Sequence, residues 1–238
     1  GYTVGRYSSP AVLEYRERFW VNGRNISQKM FCEGLEIIRN ACYEMTEDGR
    51  PHPTPFEVET ALAFWFFREK KCDIVVLETG MGGLTDATNL IKTTLAAVIT
   101  SVGRDHMKFL GESIEEIARQ KAGIIKQGCA VLSTDQAPEV RSVIEETVAE
   151  KGCTVCFVDP AHISRIQKGS GRNIGKLRFD YRCNDGTLLK NLVLGLAGTF
   201  QPQNAALAIE TLKAVFAVSE KTLRKGLETT VWPGRFSV

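Results

Sequence analysis

The chain has 238 residues, 43% of them hydrophobic and 24% charged, with a formal net charge of +2. This is the composition of an ordinary globular protein, long enough for one large α/β domain with a sizeable core. Charge so near neutral and spread along the chain leaves no nucleic-acid footprint, and no run is long and apolar enough to span a membrane. Seven cysteines, at positions 32, 42, 72, 129, 153, 156 and 183, are odd in number and scattered. They fit the reduced thiols of a cytoplasmic protein better than a disulfide framework.

In chain order, Tyr2 to Tyr7 reads as a strand delivering Ser8 and Ser9 to its end, and Tyr15 to Ile26 as a hairpin turning at Asn22-Gly23. Ser27 caps a helix to about Met45. Thr54-Pro55-Phe56-Glu57 is a capping box with proline at the first helical position, opening a helix to about Lys70. Two short apolar runs, Asp73 to Leu77 and Leu95 to Ile99, read as buried parallel strands, and Ser113-Ile-Glu-Glu116 as another capping box. Cys129 to Ser133 and Cys153 to Val158 are further strands around a helix from Pro138 to Glu150. Lys176 to Leu194 changes character: two strands surround Asn184-Asp185-Gly186 with no helix between them, which predicts an antiparallel hairpin. Helices from about Gln201 to Phe216 and Glu220 to Thr229 follow. The alternation predicts an α/β fold with a doubly wound, mostly parallel sheet, right-handed crossovers and an added antiparallel hairpin.

Ligands of such sheets bind beyond the carboxyl ends of the strands. Glu78 stands at one of these ends, before Gly80-Met-Gly82-Gly83-Leu-Thr-Asp86-Ala-Thr-Asn89, and His106 follows the next, in Ser101-Val-Gly-Arg-Asp105-His106. A carboxylate and an imidazole at successive strand ends suit a divalent cation beside phosphates, and the glycines let a substrate approach the backbone. Taken singly, Glu78 equally reads as the partner of a cation and His106 as a helix cap. Cys153-Thr-Val-Cys156 has metal or redox spacing but lies within a strand-like run and has no second such pair, so it reads as part of that strand.

Glu78-Thr-Gly-Met-Gly-Gly-Leu-Thr-Asp-Ala-Thr-Asn89, Thr100-Ser-Val-Gly-Arg-Asp-His-Met107 and Arg119-Gln-Lys-Ala-Gly-Ile-Ile125 resemble signatures of the folylpolyglutamate synthase and dihydrofolate synthase family, in the Mur ligase superfamily. Tyr7-Ser-Ser-Pro10, Gly198-Thr-Phe-Gln-Pro-Gln-Asn-Ala-Ala206 and Trp232-Pro-Gly-Arg-Phe236 extend the likeness over almost the whole chain in the family's order. The resemblance implies a P-loop ATPase domain, the central domain of a Mur-type ligase, spanning residues 1–238. It implies ATP-dependent amide formation in the intact protein, adding L-glutamate to folate or dihydropteroate through an acyl phosphate. ATP and Mg2+ are the implied cofactors. Ser9, Glu78 and His106 match magnesium ligands, Lys121 a lysine that becomes carbamylated, and Asn204 and Arg235 contacts to ATP. Thr54, with Phe56, and Thr85, Asp86 and Ala87 match positions that meet the pterin or pteroate.

The likeness has departures. Leu84-Thr85 stands where the family usually has Arg-Leu, which removes a guanidinium from the substrate side. No Walker A pattern occurs, and Gly169 to Leu177 imitates one only loosely and reads as a loop. The chain is therefore expected to be a piece lacking the phosphate-binding loop and the family's carboxyl-terminal domain, and to handle ATP poorly alone. Another Mur-type peptide ligase, and an inactive remnant or binding module, are the alternative readings.

Overall fold

Residues 1–169 and 174–232 are described by a computed structural model, in which the chain divides into two units, Gly1–Ile91 and Lys92–Val238.

In the first unit β1 (Val4–Tyr7), β2 (Phe19–Val21), β3 (Arg24–Asn25) and β4 (Ile74–Leu77) form one sheet in the order β3-β2-β1-β4. The β2–β3 hairpin turns at Asn22 and Gly23, with φ of 43° and 91°. A two-residue hairpin needs positive φ at both central positions, which Asn-Gly supplies at low cost. β1 runs antiparallel to β2 and parallel to β4, with Val4 opposite Ile74 and Tyr7 opposite Leu77. Helices α1 (Gln28–Glu47) and α2 (Pro55–Glu69) cross between β3 and β4. Each starts at the expected cap: the Ser27 hydroxyl accepts the Met30 N–H, and Thr54 and Glu57 close a reciprocal box. Gly34 brings the helices together, since a Cβ there would run into Leu62 and Trp65. Tyr7, Phe19, Ile26, Leu62, Ala63, Phe66 and Phe67 form the core.

In the second unit β5 (Ala96–Ile99), β6 (Ala130–Thr134) and β7 (Thr154–Val158) are parallel neighbours in that order. The crossovers are α3 (Met107–Leu110) with α4 (Ile114–Ala122), and α5 (Pro138–Glu150). Ala118, Ala122, Val140, Val143, Ile144 and Val148 pack with Ala97, Ile99 and Val131 on one side of that sheet. An antiparallel sheet follows, β8 (Ile163–Lys168), β9 (Leu177–Arg182) and β10 (Leu188–Leu194), in the order β10-β9-β8. Helix α6 (Gln201–Val215) packs against strands of both sheets, and α7 (Glu220–Thr229) against β10.

The α/β class and the antiparallel addition are as the sequence predicts, with two refinements. The addition has three strands, because Ile163–Lys168 pairs with β9. The two early apolar runs are parallel strands but not buried on both faces: among the described residues β4 pairs only with β1 and leaves Val75 36% and Val76 57% exposed, and the edge strand β5 leaves Val98 38% exposed. Part of the Gly169 to Leu177 loop and all but Trp232 of the Trp232 to Phe236 motif lie outside the described residues, and Arg235 with them.

Candidate functional site

Parallel pairing of β1 and β4 ends both strands side by side, at Tyr7 and Leu77. The next residues are thereby neighbours. The Glu78 N–H donates to the Tyr7 carbonyl at 3.0 Å, and the Ser9 N–H donates to Glu78 Oε2 at 3.1 Å. A hydroxyl residue and a carboxylate thus share one strand-end corner, offering the hard oxygen donors that Mg2+ prefers. Arg6, one pair back, lies over the Trp20 ring at 5.4 Å. Burial pulls its guanidinium pKa down, while the carboxylates of Glu17 and Glu78 act in the opposite sense.

The glycine loop leaves that corner and is tied together by Asp86. Asp86 Oδ2 accepts the Gly80 and Met81 N–H groups, both at 2.9 Å, and Oδ1 accepts the Thr88 N–H at 2.9 Å and the Thr88 hydroxyl at 2.5 Å. Both carboxylate oxygens are occupied by the loop's own donors, so Asp86 shapes the loop. Gly80 lies so close to the Phe56 ring that a Cβ would collide with it, and Phe56 in turn packs 6.0 Å from the Tyr7 ring.

Beside the loop lies a cleft of about 440 Å³, walled by Glu57, Thr60, Ala61 and Phe64 on α2 and by Leu84 to Ala87, Asn89 and Leu90 opposite. Of the residues matched to the pterin side, Thr85, Asp86 and Ala87 line this cleft. Thr54 stands in the cap of α2 and Phe56 beneath the glycine loop. The α2 wall was not singled out from sequence, although its spacing of three, one and three along a helix opened by the Thr54 box is the signal that finds it.

The remaining candidates lie in the second unit. His106 is half exposed, its left-handed backbone (φ 53°) precedes α3, and its Nε2 sits 3.6 Å from Asp105 Oδ2. Lys121 is half-buried in the last turn of α4, one turn from the buried Ile117 and Ala118. Asn204 is exposed in the first turn of α6, where its amide donates to Gln201 Oε1 at 3.3 Å. Among the described residues no group of three His, Cys, Asp or Glu side chains gathers to hold a metal.

Residues 25–212 match the family model of the Mur ligase middle domain. The chain is 34% identical over 241 residues to a folylpolyglutamate synthase of Lacticaseibacillus casei, covering 99% of this chain and 55% of that protein. It is 36% identical over 244 residues to a dihydrofolate synthase/folylpolyglutamate synthase of Bacillus subtilis, covering 100% of this chain and 56% of that protein. Among solved structures it superposes on an FPGS–AMPPCP complex with a TM-score of 0.91 at 33% identity, covering 99% of this chain and 58% of the other. The chain thus spans about half the length of the curated relatives it matches.

Proposed function

The chain belongs to the Mur ligase middle domain family, and on that premise we propose that it is the ATP-handling part of a ligase joining L-glutamate to folate, dihydropteroate or both. The observation that carries this reading is the strand-end corner where Ser9 meets Glu78 at the mouth of the glycine loop. The relatives' names point to the folate branch rather than to other Mur-type ligases.

In the proposed reaction a substrate carboxylate oxygen attacks the γ-phosphorus of ATP and ADP leaves, giving an acyl phosphate. The glutamate amine then attacks the acyl carbon, phosphate departs and the amine loses a proton. Such chemistry asks the protein for alignment and charge neutralisation more than for covalent help. Ser9, Glu78 and His106 are the residues that would hold Mg2+, which when bound neutralises phosphate charge. Asn204 and Arg235 are assigned to ATP. Lys121 is assigned a carbamate, and it stands half-buried in the last turn of α4, one turn from Ile117 and Ala118. Thr85 and Ala87 are assigned to the pterin side, with Asp86 holding the loop that presents them. Thr54, with the α2 cap as its observed task, acts on that side through the helix it starts.

We take both units as parts of one ATP-binding domain, 1–238, working with a further domain of the same polypeptide that supplies most of the amino-acid site. A cytoplasmic location goes with this reading, and among the described residues no helix is long and apolar enough to cross a membrane. The test is glutamate-dependent phosphate release from ATP by the intact parent protein. Dihydropteroate or tetrahydrofolate is expected to stimulate it, whereas stimulation only by a UDP-muramyl acceptor would move the protein to another branch of the superfamily.

A further inference from the structure

The outer face of the antiparallel sheet carries a second concave site. On β9 the core-facing Leu177, Phe179 and Tyr181 alternate with Asp180 and Arg182. Ser164 on β8 stands opposite Asp180, and Leu188 on β10 opposite Arg182. Together with His162, Arg165 and Lys190 these residues line a cleft of about 390 Å³.

Two irregularities shape it. Pairing shifts register between Ser164 and Gln167 on β8 and between Leu189 and Leu192 on β10, and a non-glycine residue takes positive φ in each interruption, Arg165 at 51° and Asn191 at 53°. Bulges re-aim side chains and cost conformational energy, and they recur beside functional sites. Both bulges are tied to the same carboxylate. Asp180, 5% exposed, accepts the Asn191 N–H at 2.7 Å through Oδ1, and its Oδ2 lies 3.7 Å from Arg165 Nε. From α7, Arg224 donates to the Lys190 and Asn191 carbonyls at 2.8 Å and 3.4 Å, which fixes the second bulge from outside.

The charges do not balance. Arg165, Arg182 and Lys190 face a single carboxylate, Asp180, so the cleft has two cations in excess. Among the described residues neither Arg182 nor Lys190 pairs with a carboxylate, and Asp180 is already occupied by the two bulges. His162 adds a buried Nδ1 that has no hydrogen-bond partner among the described residues. None of these residues belongs to the motifs that carry the ligase reading.

We propose that this cleft binds the dianionic phosphate group of a small phosphate monoester. Guanidinium forks match phosphate oxygens, an ammonium adds a point charge, and the Ser164 hydroxyl is a further donor. The cleft is larger than a phosphate, and Ala161 and Leu188 give the organic portion an apolar wall.

The test uses methyl phosphate, a dianion at pH 7.5, titrated into the chain at constant ionic strength while the His162 imidazole is followed by NMR. Saturable shifts of the His162 signals are expected. Arg182→Gln and Lys190→Gln are each expected to weaken binding about tenfold, the scale of one charged hydrogen bond. Arg178→Gln, on the same strand but outside the cleft, is expected to leave it unchanged, and Lys190→Gln keeps the test open if Arg182→Gln fails to fold. A His162 signal that does not saturate, unchanged affinity in both glutamine variants, or tighter binding of succinate than of methyl phosphate would overturn the assignment.

Discussion

Asp86 shows how a residue's chemistry is decided by its nearest donors. The family likeness matches it, with Thr85 and Ala87, to the pterin side, where a carboxylate can accept from the ring, and it does line the cleft. Yet four donors of its own loop fill both oxygens. Asp86→Ala leaves the Gly80 and Met81 N–H groups without their acceptor. Hydrogen bonds to an ionised group contribute about 1.5 to 3 kcal/mol each, and part of that is recovered from water here, so a net loss of about 2 kcal/mol is expected in denaturant unfolding. Thr85→Ala, whose side chain is exposed, is expected to stay within about 0.5 kcal/mol of the parent. Equal stability of the two variants would show that the loop does not depend on Asp86.

At the scale of elements, helix caps and hairpin turns were legible because a few adjacent residues determine them. Ser27, the Thr54 box and the Ser113 box each start the helix they predict, and Asn22-Gly23 turns the first hairpin. β8 was not legible as a strand. Its bulge at Arg165 breaks the two-residue alternation that marks a strand, and only pairing with β9 reveals it. The exposure of Val75 and Val76 was equally hidden, since an apolar run reports β propensity but not whether the strand lies at an edge. Close approach between helices is also invisible in one sequence, as Gly34 illustrates. Gly34→Ala adds a methyl group that collides with Leu62 and Trp65, outweighing alanine's helix propensity. Overpacking of this kind costs about 1 to 3 kcal/mol, so a lowered midpoint of thermal unfolding is expected. An unchanged or raised midpoint would mean that α1 and α2 shift apart without cost.

At the scale of the molecule, the strand ends were the most legible part of the candidate site. Strand polarity places residues that follow parallel neighbours together, which is why Ser9 and Glu78 meet although 69 positions separate them. The double bulge of the antiparallel sheet and the fixed carboxylate at its centre depend on packing between distant segments and left no local signal, whereas the α2 cleft wall follows from helical spacing. What unites the assigned residues is the claim that the parent protein activates a folate-type carboxylate by transferring phosphate to it. The most direct measurement supplies the intact parent with a folate or dihydropteroate substrate whose reacting carboxylate carries oxygen-18, together with ATP and glutamate, and weighs the released phosphate. Acyl-phosphate chemistry predicts one oxygen-18 atom in each phosphate formed along with the new amide. Amide formation with phosphate containing only ordinary oxygen would contradict the account.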